Sequence, residues 1–350
     1  MQQEKVDIKS MNITELKQYI EELGEKGFRA KQIYQWIHQK QVSSFVEMTN
    51  ISASLIQKLE ENCFLTVLQK EAVQISRLDG TRKYLFGLSD GNVIESVLMK
   101  YKHGNSVCIS SQVGCRMGCR FCASTLDGLQ RGLTAAEMID QIYQIGKDIG
   151  ERISNVVVMG TGEPLDNFEN LLKFIELLTD ENGLHISQRN LTVSTCGIVP
   201  KIRELADHKL QITLALSLHA SSQEKRLELM PVANKYELSS VIEACRYYFE
   251  QTGRRVSFEY SLVAGVNDTK EDARELSELI HGMNCHVNLI PVNPIKERDF
   301  VQPDLHAIKA FQSRLEKNGI TVTIRREMGR DIDGACGQLR RKHMQNQTKE

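Results

Sequence analysis

The sequence predicts an α/β fold, a partial (β/α)6 barrel that follows a small N-terminal helical domain. Two observations predict it. Up to about residue 60, apolar residues recur at helical spacing. From residue 106 onward, short apolar segments alternate with longer segments of helical periodicity. Strands that alternate with helices form parallel sheets with helices outside, and the functional site of such a barrel forms at the carboxyl ends of its strands.

The first 100 residues predict helices followed by strands. Apolar residues recur at helical spacing from residue 13 to residue 23. Two Asp-Gly pairs, at 79–80 and 90–91, lie between apolar runs and predict the tight turns of β-hairpins. We therefore expect three regions: a helical accessory domain over 1–60, a β-rich connecting segment over 61–100, and the barrel core with a C-terminal loop over 101–350.

Seven apolar segments are the strand candidates of the core. They lie at 107–110, 156–159, 191–194, 212–218, 256–262, 286–290 and 321–324. Amphipathic helical stretches between them include 135–149, 238–252 and 270–283. Six strand–helix units of this kind suit a partial barrel.

Composition limits the possible classes of function. The chain has 350 residues, a formal net charge of −1 and ordinary hydrophobic and charged fractions. No apolar run has membrane-spanning length and the first nine residues are polar, so we expect a cytoplasmic protein without a membrane partner. Nine cysteines in a chain of this size favour metal binding or catalysis over a secreted disulfide scaffold.

Three of these cysteines, Cys115, Cys119 and Cys122, form a C-x3-C-x2-C motif directly after the first strand candidate. Such spacing supplies three thiolates from one short loop. Three is one fewer than a closed zinc site or a complete iron–sulfur ligand set requires. The motif therefore predicts a metal site with one open ligand position, where a small molecule can bind and react.

The motif resembles the cluster loop of radical S-adenosylmethionine (SAM) enzymes. This resemblance implies a 4Fe-4S cluster on the three thiolates, with SAM bound through the fourth iron, and so specifies the barrel as a radical SAM barrel. It also implies that Gly162 and Glu163, in the run Gly-Thr-Gly-Glu-Pro after the second strand candidate, bind the SAM amino group. Polar strand ends supply the other expected cofactor-binding residues: Ser194, Ser217, Leu218, His219 and Asn293.

Further segments resemble the RlmN family, radical SAM methyltransferases that act on C2 of adenine in RNA. The matching segments are 108–122, 160–164, 217–220, 229–232, 265–268, 288–293 and the glycine-rich loop around Cys336. They run through most of residues 90–340. Thr161, between the two glycines, departs from the Met or Ile expected there, which matters little if the backbone binds SAM.

The resemblance implies a route that uses two SAM molecules, because C2 of adenine is too electron-poor to attack a methyl group directly. Cys336 takes a methyl group from the first SAM, and a radical made from the second removes hydrogen from that S-methyl group. The resulting carbon radical adds to C2. Cys108 then releases the product through a transient disulfide with Cys336. The other cysteines, Cys63, Cys196, Cys245 and Cys285, are interpreted as small buried side chains.

The same resemblance makes Glu95 a candidate proton acceptor, whereas strand alternation alone would make it a solvent-facing residue. Whether Glu95 or Cys108 takes the C2 proton stays open at this stage.

The implied partners are RNA molecules and an electron donor. In the family the targets are adenine 2503 of 23S ribosomal RNA and position 37 of certain transfer RNAs. Arginines near the cysteine loop (116, 120 and 131), the N-terminal helices around Arg29 and Lys31, and the basic C-terminal stretch are the expected RNA contacts. An electron donor such as flavodoxin is expected to act on a monomer.

Three alternatives remain. A sister enzyme of the Cfr type would methylate C8 instead, although Pro164 after Glu163 favours the C2 group. A non-catalytic RNA-binding protein would keep the cluster for structure only. A zinc protein would use the same cysteines without radical chemistry.

Overall fold

The computed structural model describes residues 5–292, 299–332 and 339. Its N-terminal part is helical, as the apolar spacing predicts. The elements are β1 (Val6–Asp7), α1 (Ile13–Glu22), α2 (Phe28–His38), α3 (Ala53–Asn62) and β2 (Cys63–Phe64). Helix α1 begins at a capping box, in which Asn12 Oδ1 accepts from the Glu15 amide at 2.8 Å and Glu15 Oε2 accepts from the Asn12 amide at 2.9 Å. The buried faces of these helices join the main apolar core.

Four strands follow as an antiparallel meander: β3 (Gln69–Ile75), β4 (Arg82–Gly87), β5 (Val93–Tyr101) and β6 (Gly104–Ile109). Both predicted Asp-Gly turns connect strands of this meander. Strand β6 pairs with the meander on one side and with the parallel strands on the other, so the β-rich segment is continuous with the barrel sheet.

After β6 the chain forms a small hairpin of β7 (Gln112–Gly114) and β8 (Leu129–Gly132), and then the repeating units of the barrel. In chain order these are α4 (Ala135–Ile149), β9 (Ile153–Val158), α5 (Phe168–Thr179), β10 (Leu191–Thr195), α6 (Val199–Asp207), β11 (Thr213–Ser217), α7 (Gln223–Leu229), α8 (Leu238–Thr252), β12 (Val256–Leu262), α9 (Lys270–Leu279), β13 (Cys285–Pro291), α10 (Leu305–Lys317) and β14 (Val322–Ile324).

The seven strands β6 and β9 to β14 are parallel and lie in chain order across one sheet. Each connection between neighbours runs through at least one helix, as the alternation predicts. Together with the meander they form a ten-stranded sheet with β3 and β14 as its two edges, so the barrel is open. All seven carboxyl ends consequently point to the same side. No helix in the described ranges has the length and apolarity needed to cross a bilayer.

A buried ion pair fastens the N-terminal region to the barrel. Lys9 Nζ lies 2.8 Å from Asp140 Oδ1 on helix α4, and both side chains are only 1% exposed. Asp140 Oδ2 also accepts from the Leu68 amide at 2.7 Å, and Lys9 donates to the Thr66 carbonyl. This contact therefore joins α4 to both ends of the N-terminal region.

Replacing Lys9 tests how much this ion pair contributes to the free energy of unfolding. We expect Lys9→Met to lower the free energy of unfolding by about 3–5 kcal/mol, because Asp140 is left buried without its cation. The surface pair of Lys58 and Glu25, 40% and 23% exposed, provides the control. Lys58→Met should cost less than about 1 kcal/mol. Urea unfolding of the two variants measures the difference, and equal losses would contradict the assignment.

Candidate active site

The three motif cysteines lie in a loop closed by the hairpin β7–β8. The Cys115 amide donates to the Gly128 carbonyl at 2.9 Å where the strands converge. Gly114 has a φ of +77°, and a Cβ there would lie 1.9 Å from the Gly128 oxygen, so only glycine allows this closure. The hairpin thus fixes the start of the loop.

Within the loop, backbone carbonyls are satisfied locally. Thr125 Oγ1 donates to the carbonyls of Cys119 and Cys122 at 3.2 and 2.9 Å. The Arg120 amide donates to the Leu229 carbonyl at 2.9 Å, which ties the loop to the end of α7. Loops after three parallel strands close over it with apolar side chains, among them Cys196, Met230 and Val266. The cysteine loop is therefore at the carboxyl ends of the strands, as the barrel geometry predicts.

Two of the thiols are buried and one is half-buried. Burial is the main cause that raises the pKa of Cys115, to about 12, and also raises the pKa of Cys119. The nearby Cys122 and Glu163 act in the same direction on both. Since metal binding needs thiolates, a positively charged metal centre must supply the stabilisation that these surroundings withhold.

The arrangement is compatible with a cubane cluster. In such a cluster each thiolate binds a different iron. Three thiols from one loop therefore fit three irons of such a cluster.

The Gly160–Pro164 turn packs directly on the chain that leads into the cysteine loop. Its Thr161 carbonyl accepts from the Ser111 and Gln112 amides at 2.9 and 3.1 Å. Gly162 has a φ of +113°, and a Cβ there would lie 2.6 Å from the Gln112 Cβ. The glycine thus serves a close approach between two segments of this protein, in addition to any approach to a ligand.

Glu163 lies at the base of this turn, with only 3% of its surface exposed. Its carboxylate accepts from the Cys196 amide at 2.7 Å and from the Leu165 amide at 3.1 Å. Burial raises the pKa of Glu163, and these hydrogen bonds oppose the rise. The carboxylate therefore ties the turn after β9 to the end of β10, and the expected contact of Gly162 and Glu163 with the SAM amino group stays a prediction.

The next strand ends bring two predicted cofactor residues together. Ser194 Oγ on β10 and Ser217 Oγ on β11 lie 3.4 Å apart. Leu218 has a completely buried side chain in the apolar core. Its amide donates to the Glu259 carbonyl at 3.0 Å, and its carbonyl accepts from Arg226.

His219 is held in an unusual backbone conformation, with a φ of +56°. Its Nδ1 accepts from the Ser261 amide at 2.9 Å, and its carbonyl accepts from Asn267 Nδ2 at 2.8 Å. Burial and the charge of Arg226 lower the pKa of His219 to about 3, so the ring is neutral with its proton on Nε2. The ring packs edge-on against Phe121 of the cysteine loop, with centroids 4.6 Å apart.

Glu95 is buried, with 4% of its surface exposed, so the solvent-facing alternative is wrong. The reason is that both faces of β5 are covered. Its carboxylate lies 3.2 Å from Nζ of the fully buried Lys83 on β4. Cys108 on β6 pairs with Val97, two residues from Glu95. Side chains two residues apart share a face, so Glu95 and Cys108 face the same side of the sheet as diagonal neighbours.

Two predicted site residues, Cys336 and Asn293, lie outside the described residues. Leu339, three positions after Cys336, is described and packs against Leu85 and Val93 of the meander. Val93 has the same strand face as Glu95.

The basic residues around the cysteine loop differ in availability. Arg131 is bound by two carboxylates, Asp90 at 2.6 Å and Glu137 at 2.7 Å, so it is not free to bind phosphate. Arg116 pairs with Asp166 but keeps 64% of its side chain exposed. Arg120 is exposed. Lys31 of the N-terminal helices and the pair Arg325 and Arg326 are exposed as well.

Sequence reasoning did not single out three buried residues that contact predicted site residues: Lys83, Arg226 and Asn267. A signal existed for Lys83, because the Asp90-Gly91 turn sets β4 against β5 and so brings it near Glu95. Nothing in the sequence marks Arg226, which follows two charged residues on a short helix. Cys196, interpreted as a core residue, is buried but lies beside Cys119 in the wall of the site.

Two family models match the chain. Residues 6–65 match the ribosomal RNA large subunit methyltransferase N-terminal domain, and residues 109–280 match the radical SAM superfamily. Over 340 residues, the chain is 67% identical to the probable dual-specificity RNA methyltransferase RlmN of Lachnospira eligens, with 97% of each chain covered. Identity to the protein of the same description from Lachnoclostridium phytofermentans is 62%, covering 97% of this chain and 96% of the relative.

A solved structure has the same architecture. The crystal structure of a radical SAM methyltransferase from Sphaerobacter thermophilus superimposes with a TM-score of 0.91 at 39% sequence identity. The match covers 95% of this chain and 98% of that one. The predicted fold class is therefore confirmed over nearly the whole chain.

Thiol alkylation tests the geometry of the loop. In protein without metal, Cys122 should react with iodoacetamide about tenfold faster than Cys115 and Cys119, because burial keeps those two thiols protonated. Loading with iron and sulfide should protect all three. Cys285, half-buried on β13, is the control and should react equally in both states. Peptide mass spectrometry reads each site, and rapid alkylation of Cys119 in metal-free protein would contradict the geometry.

Proposed function

The chain belongs to the RlmN family of radical SAM methyltransferases, and from this premise we propose that it methylates C2 of adenine in 23S ribosomal RNA and in transfer RNA. The proposed targets are position 2503 of the ribosomal RNA and position 37 of the transfer RNA. The observation that carries the proposal is the placement of Glu95 and Cys108, buried on one face of the strands that adjoin the cysteine loop. A methyltransferase that used SAM directly would need neither residue.

The family's cofactors are a 4Fe-4S cluster and SAM. We assign Cys115, Cys119 and Cys122 as the iron ligands, which leaves one iron for SAM. The proposed SAM site comprises Gly162, Glu163, Ser194, Ser217, Leu218, His219 and Asn293. When bound, the cluster would supply the electron that cleaves SAM, and the radical formed could remove a hydrogen atom from a carbon that no base could deprotonate.

Within this proposal the protein binds SAM mainly through strand ends. The turn at Gly162 and Glu163 offers backbone carbonyls to the amino group, since the Glu163 carboxylate is already bound by two amides. The Ser194 and Ser217 hydroxyls, 3.4 Å apart, are placed to bind the same ligand. The neutral His219 ring can donate from Nε2.

Cys336 carries the transferred carbon. Its thiolate attacks the methyl group of SAM, the sulfonium bond breaks, and S-adenosylhomocysteine leaves. Each methylation then consumes a second SAM for the radical step. The S-methylene radical of Cys336 adds to C2 and leaves one unpaired electron on the base. The adduct gives up that electron, which the cluster would take back, as Glu95 accepts the C2 proton. Lys83 holds the Glu95 carboxylate on the sheet face.

Cys108 releases the product. Its thiolate attacks the sulfur of Cys336, the S–S bond forms as the bond from sulfur to the base carbon breaks, and that carbon takes a proton to become the methyl group. A cytoplasmic reductant regenerates both thiols. The enzyme acts in the cytoplasm, where both RNA substrates occur, as a monomer supplied with electrons by a donor such as flavodoxin.

The exposed arginines support RNA binding. Arg120 lies on the cysteine loop, while Arg325 and Arg326 follow β14 at the same end of the sheet. Contacts of these side chains with phosphate would make RNA affinity fall steeply with salt. The bound Arg131 is omitted from this set.

Analysis of modified nucleosides tests the reaction, its position and its substrates together. Unmodified 23S ribosomal RNA and transfer RNA are incubated anaerobically with enzyme, SAM and reductant, then digested for mass spectrometry. We expect 2-methyladenosine from both RNA types, and none from Cys336→Ala. Formation of 8-methyladenosine alone would support the C8 alternative. Zinc instead of about four irons per chain would end the radical proposal.

Replacing Cys108 tests the release step. We expect Cys108→Ala to trap a covalent RNA–protein adduct that survives a denaturing gel, because no thiol remains to attack Cys336. Cys285→Ala, on β13, is the matched control and should give only free RNA and product. Turnover by the Cys108 variant without an adduct would contradict the resolving role.

A further inference from the structure

Arg226 is a fully buried cation at the carboxyl ends of the parallel strands. The residue lies on α7, is 0% exposed, and is the largest fully buried side chain among the described residues. Its guanidinium donates to three backbone carbonyls at the ends of β10 and β11. These belong to Cys196 at 2.6 Å, Leu218 at 2.5 Å and Ser217 at 3.0 Å. The side chain therefore spans the strand ends proposed to bind SAM.

This charge lacks an anionic partner within the described part of the chain. Among the described residues, no carboxylate contributes to the electrostatic surroundings of the guanidinium, and its Nε has no hydrogen-bond partner there. The two buried lysines Lys9 and Lys83 differ, since each pairs with a buried carboxylate. Carbonyl dipoles alone compensate poorly for a desolvated charge, so the arrangement indicates a missing anion.

Backbone contacts connect Arg226 to the cysteine loop. The Cys196 carbonyl accepts from the Arg226 guanidinium, and the Leu229 carbonyl at the end of the same helix accepts from the Arg120 amide of the loop. Burial lowers the pKa of Arg226, and nearby thiols oppose that fall. Cys119 belongs to the cysteine loop and packs with Cys196 in one cluster. The guanidinium charge is consequently directed at the loop proposed to hold the cluster.

We propose that Arg226 is the counter-charge of the bound cluster and raises its reduction potential. The inference rests on the proposed assignment of Cys115, Cys119 and Cys122 as iron ligands. Three thiolates outweigh the positive charge of the oxidised four-iron core, so the assembly is anionic. One electron from an external low-potential donor reduces the core by one unit and makes the assembly more anionic. A fixed buried cation stabilises that reduced form more than the oxidised form.

The role is electrostatic, because the guanidinium of Arg226 binds backbone carbonyls. It also explains why an arginine is present where a neutral side chain could bind carbonyls. A glutamine could donate to two of them, but it would leave the cluster without a buried positive charge.

An EPR-monitored redox titration of the reconstituted protein tests the proposal. For Arg226→Gln we expect at least a tenfold loss in the reduced-to-oxidised ratio at a fixed potential, which is about 59 mV for a one-electron couple. Arg226→Lys should fall between the wild type and Arg226→Gln. Lys225→Gln is the matched control, because it removes the adjacent cation, which pairs with Asp272 at 2.7 Å. Its potential should equal that of the wild type.

The outcomes separate this inference from the proposed function. Wild-type protein that binds no iron after reconstitution overturns both. Normal iron content in Arg226→Gln with an unchanged potential overturns the role of Arg226 alone. If that variant does not fold, the reduction potential of Arg226→Lys decides, since the shorter lysine side chain holds its charge farther from the cysteine loop. A potential equal to that of Lys225→Gln would then overturn the inference.

Discussion

The site depends on buried polar contacts that tie the carboxyl ends of neighbouring parallel strands to each other. Glu163 joins β9 to β10, and Arg226 joins β10 to β11. The backbone of His219 joins β11 to β12, with Asn267 completing the tie. A parallel sheet ends in unpaired amides and carbonyls at this edge, and burying them unsatisfied would be costly. The loops of the candidate site are therefore held by the same groups that connect neighbouring strand ends.

The antiparallel meander carries Glu95 and Cys108, two further residues of the candidate site. Because β5 and β6 belong to the same sheet as the parallel strands, Glu95 and Cys108 are held in the sheet that also carries the cysteine loop. Helix α4 covers their other face, where Gln141 bonds to both Ser96 and Ser110. The ion pair of Lys83 and Glu95 is buried in this sheet, where the low local dielectric strengthens the attraction between its charges.

Much of the site could be predicted because it is local in the chain. Three thiols within eight positions lie close together in any fold. The glycines of the turn at 160–162 indicate that another segment of the chain or a ligand approaches its backbone closely. Alternating strands and helices then place such loops at one edge. Glu95 shows where this reasoning fails. Strand alternation assumes that one face of a strand meets solvent, and β5 is covered on both faces.

By itself, the sequence determined the strand–helix alternation, the cysteine spacing and the turns, since each depends on residues close together in the chain. Only the tertiary structure decided which charges are buried and with which partners. Lys9 pairs with Asp140 and Lys83 pairs with Glu95, whereas Arg226 binds backbone carbonyls. Such pairings depend on strand register and helix packing across distant segments. The environment of a charged group depends on the segments that pack over it. Those segments are distant in the chain, so the residues next to the charge in sequence do not specify them.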